Sequence, residues 1–140
     1  MRQGTEKVRP SPCESCPYRM DVPSGVWGAH EYEKLRDYDH PTGGQPFAPF
    51  ACHASPEALC HGWVAVHMNR GHENELLALR IKPADPKQIP VHRNASGVEL
   101  FESGNAAADH GQADIEEPTE EAIEAQNKLM RKHPRLRTRI

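Results

Sequence analysis

The chain has 140 residues and a formal net charge of −3; Leu, Ile, Val and Phe supply only 23 residues, and Pro and Gly supply another 23. That length suits one domain with tails, the apolar share is low for an ordinary core, and the charge is too small for a wholly disordered chain. A small ordered part that needs a staple is therefore expected.

No apolar stretch reaches the ~20 residues of a membrane span, and residues 1–12 lack the apolar centre of a secretory leader. The expectation is a cytoplasmic protein with no membrane contact. Residues 1–12, ending in Pro10-Ser11-Pro12, read as a mobile arm. Residues 13–82 hold all four cysteines, both tryptophans and all three tyrosines, and are expected to form the core. Residues 83–112 read as a proline-marked connector and a short segment packing on that core. Residues 113–140 read as an acidic stretch, a helix and a basic tail.

In chain order, the first predicted helix runs from Glu31 to Tyr38, with Tyr32 and Leu35 on one face and Glu33 near Arg36 on another. Residues 57–69 place Cys60, Trp63, Val64 and His67 at helical spacing, although Trp63–Val66 also fits a strand. Residues Glu73–Arg80 carry Leu76, Leu77 and Leu79, with the same ambiguity. Val98–Phe101 is the best strand candidate, and Gly111 is expected to cap a short turn after His110. The clearest helix spans roughly 119–132. Pro118 fits its first turn, Glu120, Glu121 and Glu124 lie near its start, Lys128, Arg131 and Lys132 near its end, and Pro134 stops it. Its apolar stripe of Ala122, Ala125 and Leu129 is narrow, which predicts weak docking or docking on a partner. The fold class expected is small and mainly α, with extensive irregular structure, little strand, and a metal-stapled core of short helices and loops.

The cysteines are spaced Cys13-x2-Cys16, then 35 residues, then Cys52-x7-Cys60. A Cys-x2-Cys turn aims two sulfurs at one point, and a second pair from elsewhere completes a tetrahedral thiolate site. The energy of metal binding becomes folding energy, on the order of 10 kcal/mol for structural zinc, which suits the scarcity of apolar residues. The cofactor expected is zinc, with a [4Fe-4S] cluster as the alternative. A thioredoxin-like reading of Cys13-x2-Cys16 fails on context: prolines 10, 12, 17 and 23 surround it, and Cys52 and Cys60 stay unexplained. His53, His61, His67 and His110 are candidate outer-sphere groups or alternative ligands. Trp27 and Trp63 are expected to shield the site.

Two resemblances bear on this reading. Cys13-Glu-Ser-Cys16-Pro17-Tyr18-Arg19, Val22-Pro23-Ser24-Gly25-Val26-Trp27, Glu31-Tyr32 with Leu35 and Tyr38-Asp39, Phe50-x-Cys52-His53, Cys60-x-Gly62-Trp63 and Ser103-Gly104 with Asp109-His110-Gly111 together resemble, over about residues 13–133, a small cysteine-cluster family of unknown function from actinobacteria and their phages. The resemblance implies an intracellular, metal-bound protein and no stated activity. Gly25-Val26-Trp27-Gly28-Ala29 resembles the turn of the WhiB-like iron–sulfur regulators. In that family the cysteines precede the turn, whereas here two precede and two follow, so what carries over is the possibility of a cluster.

At the C-terminus, Arg131, Lys132, Arg135, Arg137 and Arg139 stand without an acid among the last ten residues, a pattern able to meet phosphates or an acidic partner. The leading functional expectation is a non-enzymatic, four-cysteine metal protein that contacts a protein or nucleic acid through this helix and tail. The alternative is a small metal-dependent enzyme with an open coordination position. There the histidines would act as acid or base, with Glu57 or Asp109 assisting.

Overall fold

Short helices joined by irregular loops carry the fold, which a computed structural model describes for residues 12–40, 44–46, 50–54, 58–68 and 98–140, the side chains of His67 and Met68 excepted. Among these residues there are four α-helices: α1 (Ala29–Asp37), α2 (His61–Met68), α3 (Gly104–Gln112) and α4 (Glu120–Lys132). A 3-10 helix (Pro134–Arg139) follows α4. Strand pairing among the described residues is limited to two isolated antiparallel bridges, Arg19 with Leu100 and Ala51 with Leu59. The protein is thus small and mainly α, with little strand. No helix among the described residues is long and apolar enough to cross a membrane.

Helix α1 begins two residues earlier than its apolar spacing suggests and buries Glu31, Tyr32 and Leu35. Residues 61–68 resolve the helix-or-strand ambiguity in favour of α2. Residues 63–66 are all fully buried, which is why the run shows no polar face to fix its period. The expected helix or strand at 73–80, the connector over 83–97 and the arm over 1–11 lie outside the described residues. Pro12, the last residue assigned to the arm, is buried. Val98–Phe101 forms only the bridge at Leu100, flanked by Met20 N–H to Glu99 O (3.0 Å) and Phe101 N–H to Tyr18 O (2.9 Å).

The segment expected to be a short turn ending at Gly111 is helix α3, and Gly111 lies inside it. Ser103 caps it by accepting from Ala106 N–H at 3.1 Å. Its buried face is Gly104, Ala107, Ala108 and Gly111, all small, so its backbone lies close to α1. A Cβ on Gly111 would overlap the Tyr32 ring, and one on Gly104 would overlap the Leu35 carbonyl. Polar groups bind the rim of this contact. Arg36 Nη2 donates to Asp109 Oδ1 and Gln112 Oε1, both at 2.8 Å, and Gln112 Nε2 donates to Glu33 Oε1 at 2.9 Å.

Helix α4 matches its predicted span, with one correction at its start. Thr119 is the N-cap, its hydroxyl accepting from Ala122 N–H at 3.1 Å, so Pro118 precedes the cap and is not in the first turn. Acidic residues at the start and basic ones at the end complement the helix dipole. Thr119→Ala is expected to lower stability by about 1 kcal/mol, read as a shifted denaturant midpoint with an unchanged slope.

Ala122 and Leu129 of α4 are buried, while Ile123 is exposed. The tail after α4 folds back onto the core. Pro134 ends the α-helix and opens the 3-10 helix, whose Leu136 is 2% exposed. Arg139 O accepts from Gly28 N–H at 2.8 Å, and Arg135 Nη2 donates to Ala54 O at 2.6 Å. Burying a leucine side chain is worth roughly 1.5–3 kcal/mol. Leu136 therefore fastens this segment more firmly than the narrow stripe of α4 alone would.

Candidate metal centre

The first cysteine pair lies on a tight turn. Cys16 N–H donates to Cys13 O at 3.1 Å and Arg19 N–H to Cys16 O at 3.0 Å, while Arg19 Nη1 also reaches Cys13 O at 3.3 Å. These bonds fold the chain back within four residues and leave both thiols on the inner side, buried.

The second pair lies on a short ladder that its x7 spacing does not reveal. Cys52 N–H donates to Ala58 O at 2.8 Å and Cys60 N–H to Phe50 O at 2.9 Å, flanking the Ala51–Leu59 bridge. In that register Cys60 lies opposite Phe50, and side chains two apart on a strand share a face. Cys52, Cys60 and Phe50 therefore face the same side. Cys60 also precedes α2, and its sulfur accepts from Trp63 N–H at 3.4 Å, in the manner of a helix cap.

The two pairs meet. Cys16 Sγ lies 3.9 Å from Cys60 Sγ, and the Cys13 thiol interacts with those of Cys16 and Cys52. All four are at most 6% exposed and none is in a disulfide. The hydrogen bond with Cys16, helped by burial and opposed by Cys52, pushes the Cys13 thiol up to about 12. Cys13 pulls the Cys16 thiol down, but Cys60 and burial outweigh it and hold Cys16 well above the ordinary range. Both thiols are therefore protonated at neutral pH unless a cation displaces their protons. The sulfurs run as a chain, Cys52–Cys13–Cys16–Cys60. Among the described residues no group of three or more His, Cys, Asp or Glu side chains already stands in the arrangement of an ion site.

The aromatic residues lie against this cluster. Trp27 Nε1 donates to Ser15 O, inside the first cysteine turn, at 2.8 Å, and its ring packs on His53 at 4.6 Å between centroids. Trp63 packs with Phe50 at 6.4 Å and with Tyr38 at 5.8 Å. The histidines diverge. His61 is buried at the first position of α2. The side chain of His67 and residue Glu57 lie outside the described residues. His110 joins α3 to the opposite loop, its Nε2 donating to Val22 O at 2.8 Å with its ring against Phe101. Asp109, also on α3, is engaged by Arg36.

His53 meets a glutamate that local sequence marks only as the start of a helix. Its Nε2 lies 2.9 Å from Glu31 Oε1, and both side chains are 3% exposed. Lys34 Nζ donates to both Glu31 oxygens at 3.1 Å, and His30 and Arg139 approach the same carboxylate. A glutamate in the first turn of a helix reads as a dipole complement; only the tertiary fold brings His53 onto it.

Burial opposes ionisation of Glu31, but His53 and Lys34 outweigh it and lower the carboxyl from 4.5 to about 2. Burial also lowers His53 below 6.5 despite the attraction of Glu31. Both groups have folded-state values below their unfolded ones, so both contribute stability that is lost on acidification. The loss begins below pH 6.5, as unfolded chains protonate His53, and deepens between pH 4.5 and 2 through Glu31. Denaturant midpoints measured across that range should fall with pH, and Glu31→Gln should flatten the lower part of the curve.

The basic residues assigned to a partner are distributed rather than bundled. Arg131 and Lys132 line a cavity of about 530 Å³ between α4 and the first cysteine turn, with Glu14, Arg19, Asp21 and Lys128 around it. Arg135 is exposed and reaches Ala54 O, Arg139 is half-buried near the Glu31 carboxylate, and Arg137 lies in the 3-10 helix.

Compared with known proteins, residues 8–132 match the model of a family of unknown function (DUF6283). No curated protein and no solved structure matches the chain.

Proposed function

The chain belongs to this family of unknown function, and we propose that it is a non-enzymatic metal-binding interaction protein. Cys13, Cys16, Cys52 and Cys60 hold a single zinc ion that staples the fold. The observation that carries the reading is the meeting of two buried cysteine pairs from distant segments, with Cys16 and Cys60 sulfurs 3.9 Å apart. In a tetrahedron of zinc–sulfur bonds about 2.3 Å long, neighbouring sulfurs are roughly 3.8 Å apart. The larger span of a [4Fe-4S] cluster suits that separation less well. The ion supplies the positive charge that lets buried thiols shed their protons. With four thiolates bound, no coordination position is open to a substrate.

Displacement of the thiol protons turns the hydrogen-bonded chain of sulfurs into a closed shell around the ion. That is the change expected when protonated sulfurs, which only hydrogen-bond, become ligands to a common cation. Elemental analysis of the purified full chain tests the reading. One equivalent of zinc in a colourless protein is expected. A brown, iron-containing protein would replace zinc with a cluster, and a well-folded protein free of metal would overturn the staple altogether.

The exposed surface of α4 and the 3-10 helix, together with the cavity that Arg131 and Lys132 line, is proposed to meet a protein or nucleic-acid partner. It carries exposed Ile123, the basic residues Arg131 and Lys132, and Arg137. Deleting this segment would strip Ala122, Leu129 and Leu136 from the core, so truncation confuses binding with folding. Charge reversal by Arg131→Glu with Arg137→Glu is the cleaner change. It should abolish partner capture while leaving the melting curve intact, and undiminished capture would move the contact elsewhere.

A further inference from the structure

The order of the four thiols in space restricts how they can bond to one another. Cys16 Sγ lies 3.9 Å from Cys60 Sγ, the Cys13 thiol hydrogen-bonds with those of Cys16 and Cys52, and none of the four is in a disulfide. Four cysteines allow three pairings. A disulfide joins Cα atoms roughly 4.4–6.8 Å apart. The ladder of the second segment rules out one pairing. Its register sets Cys52 opposite Ala58 and Cys60 opposite Phe50. Cys52 and Cys60 are therefore diagonal neighbours, with Cα atoms roughly 7–8 Å apart, a span that a disulfide does not bridge without moving the backbone. Cys13 with Cys16 can then form only as a lone bond that strands the other two thiols. The pairing of Cys13 with Cys60 and Cys16 with Cys52 joins no two sulfurs that are shown in contact. What remains is Cys16 with Cys60 and Cys13 with Cys52, each pair already adjacent.

We propose that oxidation closes the cluster into two disulfides that cross the fold, Cys16–Cys60 and Cys13–Cys52. The oxidant is a small-molecule disulfide of the glutathione type. In each pair one cysteine, as thiolate, attacks a sulfur of the oxidant and expels its other half. The neighbouring cysteine then attacks the mixed disulfide and expels the second half. Each new bond takes two electrons from the protein, and the two protons leave on the two small thiols released. The sulfurs are buried, so the reaction waits on local opening and is slow. The inference needs only the sulfur contacts and stands apart from the zinc reading. The two bonds tie the first cysteine turn to the second segment as an ion would, so the link between them outlasts any metal. The Cys16–Cys60 bond spans 44 positions, and closing a loop of that size restricts the unfolded chain strongly.

The test is disulfide mapping of the full-length wild type. The reduced chain as purified is treated with oxidised glutathione at mildly alkaline pH, once in native buffer and once in denaturant, and remaining thiols are alkylated. A glutamate-specific protease cuts after Glu14 and Glu57, which separates all four cysteines, and mass spectrometry reads the unreduced peptides. In denaturant, loop length decides, and the adjacent Cys13–Cys16 bond should dominate. In native buffer both crossed bonds should form, with no thiol left to alkylate. The oxidised protein should melt cooperatively in excess chelator, roughly 10 °C or more above any transition of the reduced chain.

The proposal is overturned if the native map shows Cys13–Cys16 or matches the denatured one, or if only one crossed bond forms. It is also overturned if the native thiols stay free under conditions that fully oxidise the denatured chain. Metal analysis of the reduced chain is a separate reading: absence of zinc there removes the zinc staple and leaves this pairing standing.

Discussion

Replacing Cys16 with serine should abolish metal binding and, with it, the cooperative thermal transition. Cys16 is 1% exposed and touches thiols from both segments, Cys13 in its own turn and Cys60 across the fold. Structural zinc contributes on the order of 10 kcal/mol at neutral pH, while whole domains are stable by about 5–15 kcal/mol. A chain with so few large apolar residues has little left once that contribution is removed. Circular dichroism on heating, together with metal content, reads both effects. Exhaustive chelation of the wild type should reproduce the variant's broad, non-cooperative curve. A Cys16→Ser protein that melts like the wild type would show that the sulfurs pack without stapling.

Gly111→Ala should destabilise the protein even though alanine is the better helix former. The new Cβ overlaps the ring of Tyr32. That ring cannot swing aside cheaply, because its hydroxyl accepts from both Val26 N–H and Trp27 N–H at 3.1 Å. The Gly111 carbonyl is fixed as well, accepting from Gly25 N–H at 2.9 Å and Ser24 Oγ at 3.0 Å. Overpacking of about 3 kcal/mol less the roughly 1 kcal/mol helix gain of alanine leaves a net loss of about 2 kcal/mol. That corresponds to a fall in Tm of roughly 8 °C for a chain of this size. The same change in a Tyr32→Ala background should be neutral or favourable, and this non-additivity is what separates a ring clash from a general disturbance of α3.

The parts of the fold that could be read from the sequence are those that local chemistry determines. Helix α4 announced itself by its charge gradient and by Pro134, and α1 by Tyr32 and Leu35. Helix α3 did not, because the face it buries is glycine and alanine, which carry no apolar periodicity and, for glycine, a poor helix propensity. The tight Cys13–Cys16 turn is a local feature and is legible. The pairing of Cys52 with Cys60 depends on the Ala51–Leu59 bridge, and the partnership of His53 with Glu31 on the packing of α1 against the second cysteine segment. Contacts of that kind leave no signature at either end. The docking of the tail was hidden for a related reason: Leu136 alone among basic residues looks like part of a solvated terminus, and the fold gives it a burial site.

The return of the C-terminal segment has a consequence for how the protein comes into being. Lys128 pairs with Glu14 at 2.6 Å, Gln126 donates to Gly25 O at 2.7 Å, and Arg139 O accepts from Gly28. Helical proteins ordinarily fold fast because their contacts are short-range; closing loops of about a hundred residues slows that. On the ribosome, the first cysteine turn is made early and its cover late. Until residues 119–140 have been synthesised, Glu14, Gly25 and Gly28 lack these partners, so the order of translation itself makes the final closure of the fold wait for the last of these residues.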